Sequence, residues 1–337
     1  MSREKITTIQ DVARIAGVST ATVSRTLSKP SVVSKTSREA VLSAIANTGY
    51  RVNATASNLR RKRTGTVIVL LPNIANPFFS QILAGLGSIL TPAQYGMLVA
   101  DTQSGPDPDE RLGHYLTSGQ ADGLILLDGT LSPKALDIPG RPPVVIACEW
   151  MESNLPSVRV QNEGGAALAV EHLVRLGHRD IGHVTGLRGN VLAEARLNGF
   201  VSALAEAGIS PNPDWIIEGD YSIDSGVAAA RTWLAMTKRP SALFFSSDEM
   251  AAGFSGEVQK SGVAIPRDVS IVGFDNIEIA QHLSPPLTTI RQPRMKIGVR
   301  AAEILLGMID TDSLDGPSEV IDVEFVERGS SGPLPGR

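Results

Sequence analysis

Seven side chains beside apolar segments carry the chemistry this sequence offers. Phe78 and Phe79 follow TVIVLLP (66–72), and Glu149 and Trp150 follow PVVIAC (143–148). Arg196 opens a helical segment after Gly186, Asp248 follows ALFFSS (242–247), and Asp275 ends VSIVGFD (269–275). Aromatic rings stack on the apolar faces of a polyhydroxylated molecule, while carboxylates and a guanidinium take its hydroxyl pairs in bidentate fashion. Each residue has a plainer alternative: Asp248 and Asp275 could cap helices, and Arg196 could form a surface ion pair. Their shared place at the carboxyl ends of strands favours a site, because ligands of open α/β sheets bind there.

A second set lies in TIQDVARIAGVSTATVSRTL (8–27). Ile9, Val12, Ala13 and Ala16 recur at the spacing of a one-faced helix. Thr8 and Asp11 form a capping-box variant, and Gly17 supplies the stop. Ser19 then caps a second helix, which Val23 and Leu27 are expected to pin against the first. The remaining face holds Thr20, Ala21, Thr22, Ser24 and Arg25, small hydroxyls and one arginine suited to a DNA major groove. An ordinary helical hairpin is the competing reading, and charge argues against it. Residues 1–63 hold 12 Lys and Arg against 3 Asp and Glu, a net of +9, leaving −13 on the rest of a chain whose total is −4. A basic head on an acidic body is the footprint of a polyanion bound at the head. Membrane-surface binding is the weaker account, because no aromatic or leucine stripe accompanies the charge.

Enzyme signatures are missing. The sequence has no GxxxxGK[ST], HExxH or GxSxG, and GLGSIL (85–90) lacks the third glycine of a dinucleotide fingerprint. His178 and His183 in LGHRDIGHV read as packing or hydrogen-bonding residues, and Cys148 as a small buried hydrophobe. No zinc site, cofactor or metal is expected. No apolar run approaches ~18–20 residues, and MSREKITTIQ lacks the apolar core of a secretory signal, so the expected location is cytoplasmic.

The elements that must position these residues follow from patterning. After the second helix comes a loop at 28–33. A third helix is expected from a capping box at Thr36 and Glu39 to about Asn47, with Val41, Leu42 and Ile45 inward and Gly49 as its stop. This makes residues 1–50 a three-helix headpiece. Residues 51–63 are a basic linker whose one large aliphatic beyond Val52 is Leu59; alone it should be unfolded, becoming helical on phosphates. From Thr66 onward, short β-branched or aliphatic segments alternate with helical ones, the mark of βαβ units with strands buried on both faces. Besides those named above, the strands are MLVAD (97–101), GLILLD (123–128) and DIGHVTG (180–186), with helices expected near 76–90, 163–176 and 192–207. Their number fits two doubly wound lobes.

The headpiece segment, NPFFSQI (76–82), GHRDIG (177–182), ARLNGF (195–200), SALFFSSDEMAAG (241–253), PRDVSIVGFDN (266–276) and PPLTTIRQPRMKIG (285–298) together resemble the lactose/galactose repressor (LacI/GalR) family of bacterial transcription regulators. The resemblance spans nearly the whole chain. It implies an α/β protein with a helix-turn-helix headpiece and hinge, then a two-lobed periplasmic-binding-protein-like core of doubly wound parallel sheets at 64–330. The lobes would be 64–161 with 293–321, and 162–292 with 322–330, leaving 331–337 as a disordered tail.

The resemblance also implies a homodimer on a pseudo-palindromic DNA operator. Thr20, Ala21 and Arg25 would approach base edges, while Ser19, Thr22, Ser24, Ser34, Lys35 and Thr36 contact phosphates. Asn58 and Leu59 would act in the hinge, Leu59 wedging into the minor groove. VNATASNL (52–59) lacks the family's usual hinge proline and arginine, for which the basic residues at 60–63 would compensate. The implied effector set is Phe78, Phe79, Glu149, Trp150, Gln161, Arg196, Tyr221, Asp248 and Asp275, around a sugar-like or nucleoside effector. The alternative is a solute-binding component of a sugar transporter, which would carry a signal peptide.

Overall fold

The computed structural model describes residues 7–50, 63–103, 107–151 and 153–334. The chain divides into two compact units, Met1–Thr64 and Gly65–Arg337.

In the first unit, α1 (Ile9–Ala16) starts on Thr8, whose side chain accepts from the Asp11 N–H while the Asp11 carboxylate accepts from the Thr8 N–H. Gly17 ends it at φ 64°, a left-handed conformation that glycine adopts without a Cβ clash. Ser19 caps α2 (Thr20–Ser28) by accepting from the Thr22 N–H. Helix α3 (Lys35–Thr48) is capped by Ser34, not Thr36, because Ser34 already has the extended backbone that lets its oxygen reach the Ser37 N–H. Val12, Ala13, Val23, Val41 and Ala44 form the core. Two expected core residues face solvent: Leu27 is 38% exposed and Leu42 51%. Thr26 replaces Leu27 inside, its hydroxyl satisfied by donation to the Thr22 carbonyl, and Ala44 takes the inward position next to Val41. The linker residues 51–62, with Asn58 and Leu59, lie outside the described residues.

The second unit contains two six-stranded sheets. One is ordered β11-β5-β4-β3-β1-β2, from β1 (Thr66–Leu71), β2 (Gly96–Asp101), β3 (Gly123–Leu126), β4 (Val144–Ala147), β5 (Ser157–Val160) and β11 (Glu319–Ile321). The other is ordered β12-β10-β9-β8-β6-β7, from β6 (Ile181–Val184), β7 (Ile216–Ile217), β8 (Ala242–Phe245), β9 (Ser270–Asp275), β10 (Thr288–Arg291) and β12 (Glu324–Val326). Every pairing is parallel except β10 with β12. The central strands β3, β4, β6 and β8 are buried at every residue, as continuous apolar runs require when helices cover both faces. The edge strand β2 is half-exposed.

The first lobe carries α4 (Phe78–Leu90), α5 (Pro108–Thr117) and α10 (Arg294–Thr311). The second carries α6 (Asn162–Arg175), α7 (Val191–Glu206), α8 (Ile223–Ala235) and α9 (Asp248–Lys260). The chain crosses between lobes after β5, after β10 and between β11 and β12. Helices α4 and α10 touch backbone to backbone: a Cβ on Gly298 would lie 2.1 Å from the Ile82 carbonyl oxygen, and one on Gly85 2.2 Å from that of Met295.

The expected disordered tail begins docked. His172 shares a 2.8 Å hydrogen bond with the Ser331 hydroxyl, Gly332 donates to the Ser270 hydroxyl, and the Leu334 N–H donates to the Leu176 carbonyl at 3.0 Å. Small polar residues hold this segment where no apolar anchor signals it in the sequence.

Candidate functional site

A cavity of about 360 Å³ opens between the lobes at the carboxyl ends of their strands. From the first lobe come Phe78 and Phe79 at the start of α4, edge to face with centroids 5.2 Å apart, together with Asp128 and Glu149. Arg196, Tyr221, Asn190, Glu249 and Asp275 come from the second.

Arg196 is 2% exposed and its guanidinium is held on two sides. Nε donates to Asn162 Oδ1 at 3.0 Å and Nη1 to the Ser246 carbonyl. Its centre stands 3.9 Å from the Phe274 ring and 6.0 Å from that of Tyr221. Nη2 makes no hydrogen bond to the protein among the described residues, so one face of the fork is left for a ligand. Asp275 accepts from Gln292 Nε2 at 2.7 Å. Burial pushes its carboxyl up to about 6, against the pull of Arg196 and Arg294. Asp275 holds φ 121° and Tyr221 φ 71°, a strained region for side-chain-bearing residues and one that clusters at ligand sites.

Asn190 joins the two walls. Its side-chain oxygen caps α7 through the Leu192 and Ala193 N–H groups and accepts from the Tyr221 hydroxyl at 3.0 Å. Its Nδ2 donates across the cleft to Glu149 Oε1 at 2.8 Å. Glu149 also accepts from the Gly129 N–H, yet burial raises its pKa above the usual carboxylate range. Asp128 takes the Thr102 and Thr130 hydroxyls. Among the described residues, Asp128, Glu149, Asp220, Asp224, Glu249 and Asp275 line the cavity against one cation, Arg196. Such a site favours neutral, hydroxyl-rich ligands over anionic ones.

Phe78, Phe79, Glu149, Arg196, Tyr221 and Asp275 therefore meet in one cavity, and three other expected residues do not line it. Trp150 turns away to pack under Arg159, 5.4 Å from its ring. Gln161 is exposed at a lobe crossing, and its neighbour Asn162 points inward to Arg196. Asp248 is fully buried behind the wall, accepting from the Ile277 N–H at 2.8 Å and from the Thr289 hydroxyl. It supports the Asp275 turn from below. Of the residues sequence reading missed, Asp128 ends GLILLD and was open to the strand-end rule. Asn190 and Asn162 carry only helix-start signals, and nothing local announces that they reach Glu149 and Arg196.

On the headpiece, Thr20, Ala21 and Arg25 are exposed on α2, with Thr22 and Ser24 half-buried beside them. The Ser19 hydroxyl is engaged with Thr22, and that of Ser34 with Ser37, so both serve first as caps. Lys35 and Thr36 are exposed at the first turn of α3. A helix N-terminus with free-facing N–H groups accepts a phosphate.

Residues 8–53 match the family of bacterial regulatory proteins named for lacI, and residues 170–331 a periplasmic binding protein-like domain. The two matched domains thus define a DNA-binding transcriptional regulator with a periplasmic-binding-protein-like core. The chain is 36% identical to the HTH-type transcriptional repressor CytR of Escherichia coli K12 over 336 residues, 99% of this chain and 98% of that one. It superposes on the Lac repressor dimer bound to operator and the anti-inducer ONPF with a TM-score of 0.85, at 29% identity over 97% of this chain and 100% of the other. With the transcriptional regulator CelR in complex with cellobiose the TM-score is 0.73, at 33% identity over 96% and 99%. The chain belongs to the lacI family of bacterial regulatory proteins.

Proposed function

We propose that this protein is a cytoplasmic repressor that binds a pseudo-palindromic operator as a homodimer and whose operator affinity is set by a neutral sugar-like or nucleoside effector between the lobes. The observation that carries the effector reading is the pairing of Arg196, with one guanidinium edge uncommitted, and Asp275 in one cavity. Phe78, Phe79 and Tyr221 supply stacking faces, and Glu149 a hydroxyl acceptor. CelR with its cellobiose and the Lac repressor with its operator support the assignment by analogy.

Thr20, Ala21 and Arg25 read base edges, Arg25 addressing a guanine. Ser19, Thr22, Ser24, Ser34, Lys35 and Thr36 hold phosphates. Asn58 and Leu59 act in the hinge by the sequence resemblance alone. An effector shifts the lobe equilibrium only by its differential affinity for the two arrangements. The test is a thermal-shift screen of sugars and nucleosides, followed by fluorescence anisotropy on a palindromic duplex from the protein's own promoter. A hit that raises the melting temperature and changes operator affinity supports the reading. The absence of any preference for that duplex over random DNA at near-physiological salt would refute it.

A further inference from the structure

Outside the effector cavity, a groove of about 600 Å³ runs beside the strap joining β10 to α10. Arg294, Lys296, Arg291, Met295 and Gln81 line it, and no carboxylate does among the described residues. Arg294 is 3% exposed and ties the lobes together: Nη1 donates to the Phe78 carbonyl at 3.1 Å in the first lobe, and Nη2 to the Asn276 carbonyl at 3.1 Å in the second. Its Nε is the one buried side-chain nitrogen or oxygen among the described residues with no hydrogen-bond partner. Such an orphan donor is costly, and most buried polar groups avoid it.

The orphan sits at the start of α10, an 18-residue helix whose N-cap, Pro293, offers no side-chain cap. The Met295 and Lys296 N–H groups find no acceptor among the described residues. The helix dipole, the open N–H groups and the one unpartnered nitrogen of Arg294 all belong to residues that line this groove. Arg291 is partly committed to Glu324 at 3.0 Å, whereas Lys296 makes no ion pair among the described residues.

We propose that this groove is a second ligand site, for a small oxyanion of the phosphate or carboxylate class. The acidic effector cavity repels such a ligand and the basic strap attracts it. The anion accepts from the Met295 and Lys296 N–H groups, supplies the acceptor Arg294 lacks, and is paired by the Lys296 ammonium. Because Arg294 bridges carbonyls of both lobes, occupancy favours the lobe arrangement in which that bridge is made. This assignment is independent of the effector reading.

The experiment is a thermal-melt titration of the full chain at constant ionic strength with inorganic phosphate, glucose 6-phosphate and citrate, the lowest saturating concentration identifying the source. Saturable stabilisation is expected in the wild type, weakened by about tenfold or more in Lys296→Glu, where an exposed residue reverses its charge, and also in Arg294→Lys, which keeps charge but lacks Nε. Arg196→Gln, which removes the cation of the effector cavity, should leave it unchanged. A rise that never saturates and is equal in wild type and Lys296→Glu is salt exclusion only and overturns the proposal. Loss of the effect in Arg196→Gln also overturns it, by placing the anion in the effector cavity, whose cation is Arg196.

Discussion

On the proposed reading of the cavity, Asp275 should make effector affinity a function of pH in a predictable direction. Its carboxyl is pushed up to about 6 by burial, with Arg196 and Arg294 opposing. If the charged form holds the effector's hydroxyls, the apparent Kd scales as one plus the ratio of protonated to ionised carboxyl. Relative to pH 7.5, affinity should fall about twofold at pH 6 and about elevenfold at pH 5, the latter about 1.4 kcal/mol. Unfolding does not explain such a loss through this group. A carboxyl whose folded pKa lies above its ordinary 3.8 binds protons more tightly in the folded state. Lowering the pH from about 6 towards 4 therefore stabilises the fold as far as Asp275 is concerned. Asp248, buried beside it, is likewise raised well above the ordinary carboxylate range, by burial and by the Asp275 charge. Glu149 and Glu249 are also raised by burial, so Asp275→Asn is the necessary control. The assay is isothermal titration of the first ligand found by thermal shift, at pH 7.5, 6 and 5. Asp275→Asn should bind about 10- to 150-fold more weakly at pH 7.5, from the loss of a charged hydrogen bond, and show a flatter pH profile. A wild-type Kd that stays flat or tightens on acidification, or an unaltered slope in the variant, refutes the reasoning.

Three further outcomes test separate parts of the account. Asn190→Ala removes the bridge to Glu149 and the α7 cap together; effector affinity should change by at least about threefold and stability fall by about 0.5–2 kcal/mol in urea denaturation, and no change in either would dismiss the bridge. Arg25→Ala should flatten discrimination at one operator base pair by about 1–3 kcal/mol in anisotropy competition, with effector affinity intact. Gly298→Ala drives a methyl to 2.1 Å from the Ile82 carbonyl oxygen and should lower stability by about 1–3 kcal/mol or more, read as a drop in melting temperature.

The repressor headpiece was legible because its signals are local. Capping pairs, a glycine stop and one turn of apolar spacing each act within a few residues, and Thr8, Gly17 and Ser19 perform those jobs in the structure. Leu27 and Leu42 escaped the same logic, since α2 and α3 each offer several positions small or apolar enough to face inward, and packing against neighbours chose Thr26 and Ala44. Central strands were equally plain, being apolar almost throughout, with His183 in β6 the exception. Strands β5, β7, β10, β11 and β12 were not, because short edge or crossing strands gain their identity from a partner distant in sequence.

In the effector cavity, residue type and strand-end position alone brought Phe78, Phe79, Glu149, Arg196 and Asp275 into one candidate set. Tertiary structure decided which of the set face the cavity. Position along the chain says that Trp150 and Asp248 sit at strand ends, but the direction of a side chain is set by what fills the space around it. Arg159 draws Trp150 aside, and the Ile277 N–H and Thr289 hydroxyl hold Asp248 inside. The Glu149–Asn190 bridge and the orphaned Arg294 nitrogen likewise exist only once two lobes, each threaded by separated stretches of chain, are brought face to face.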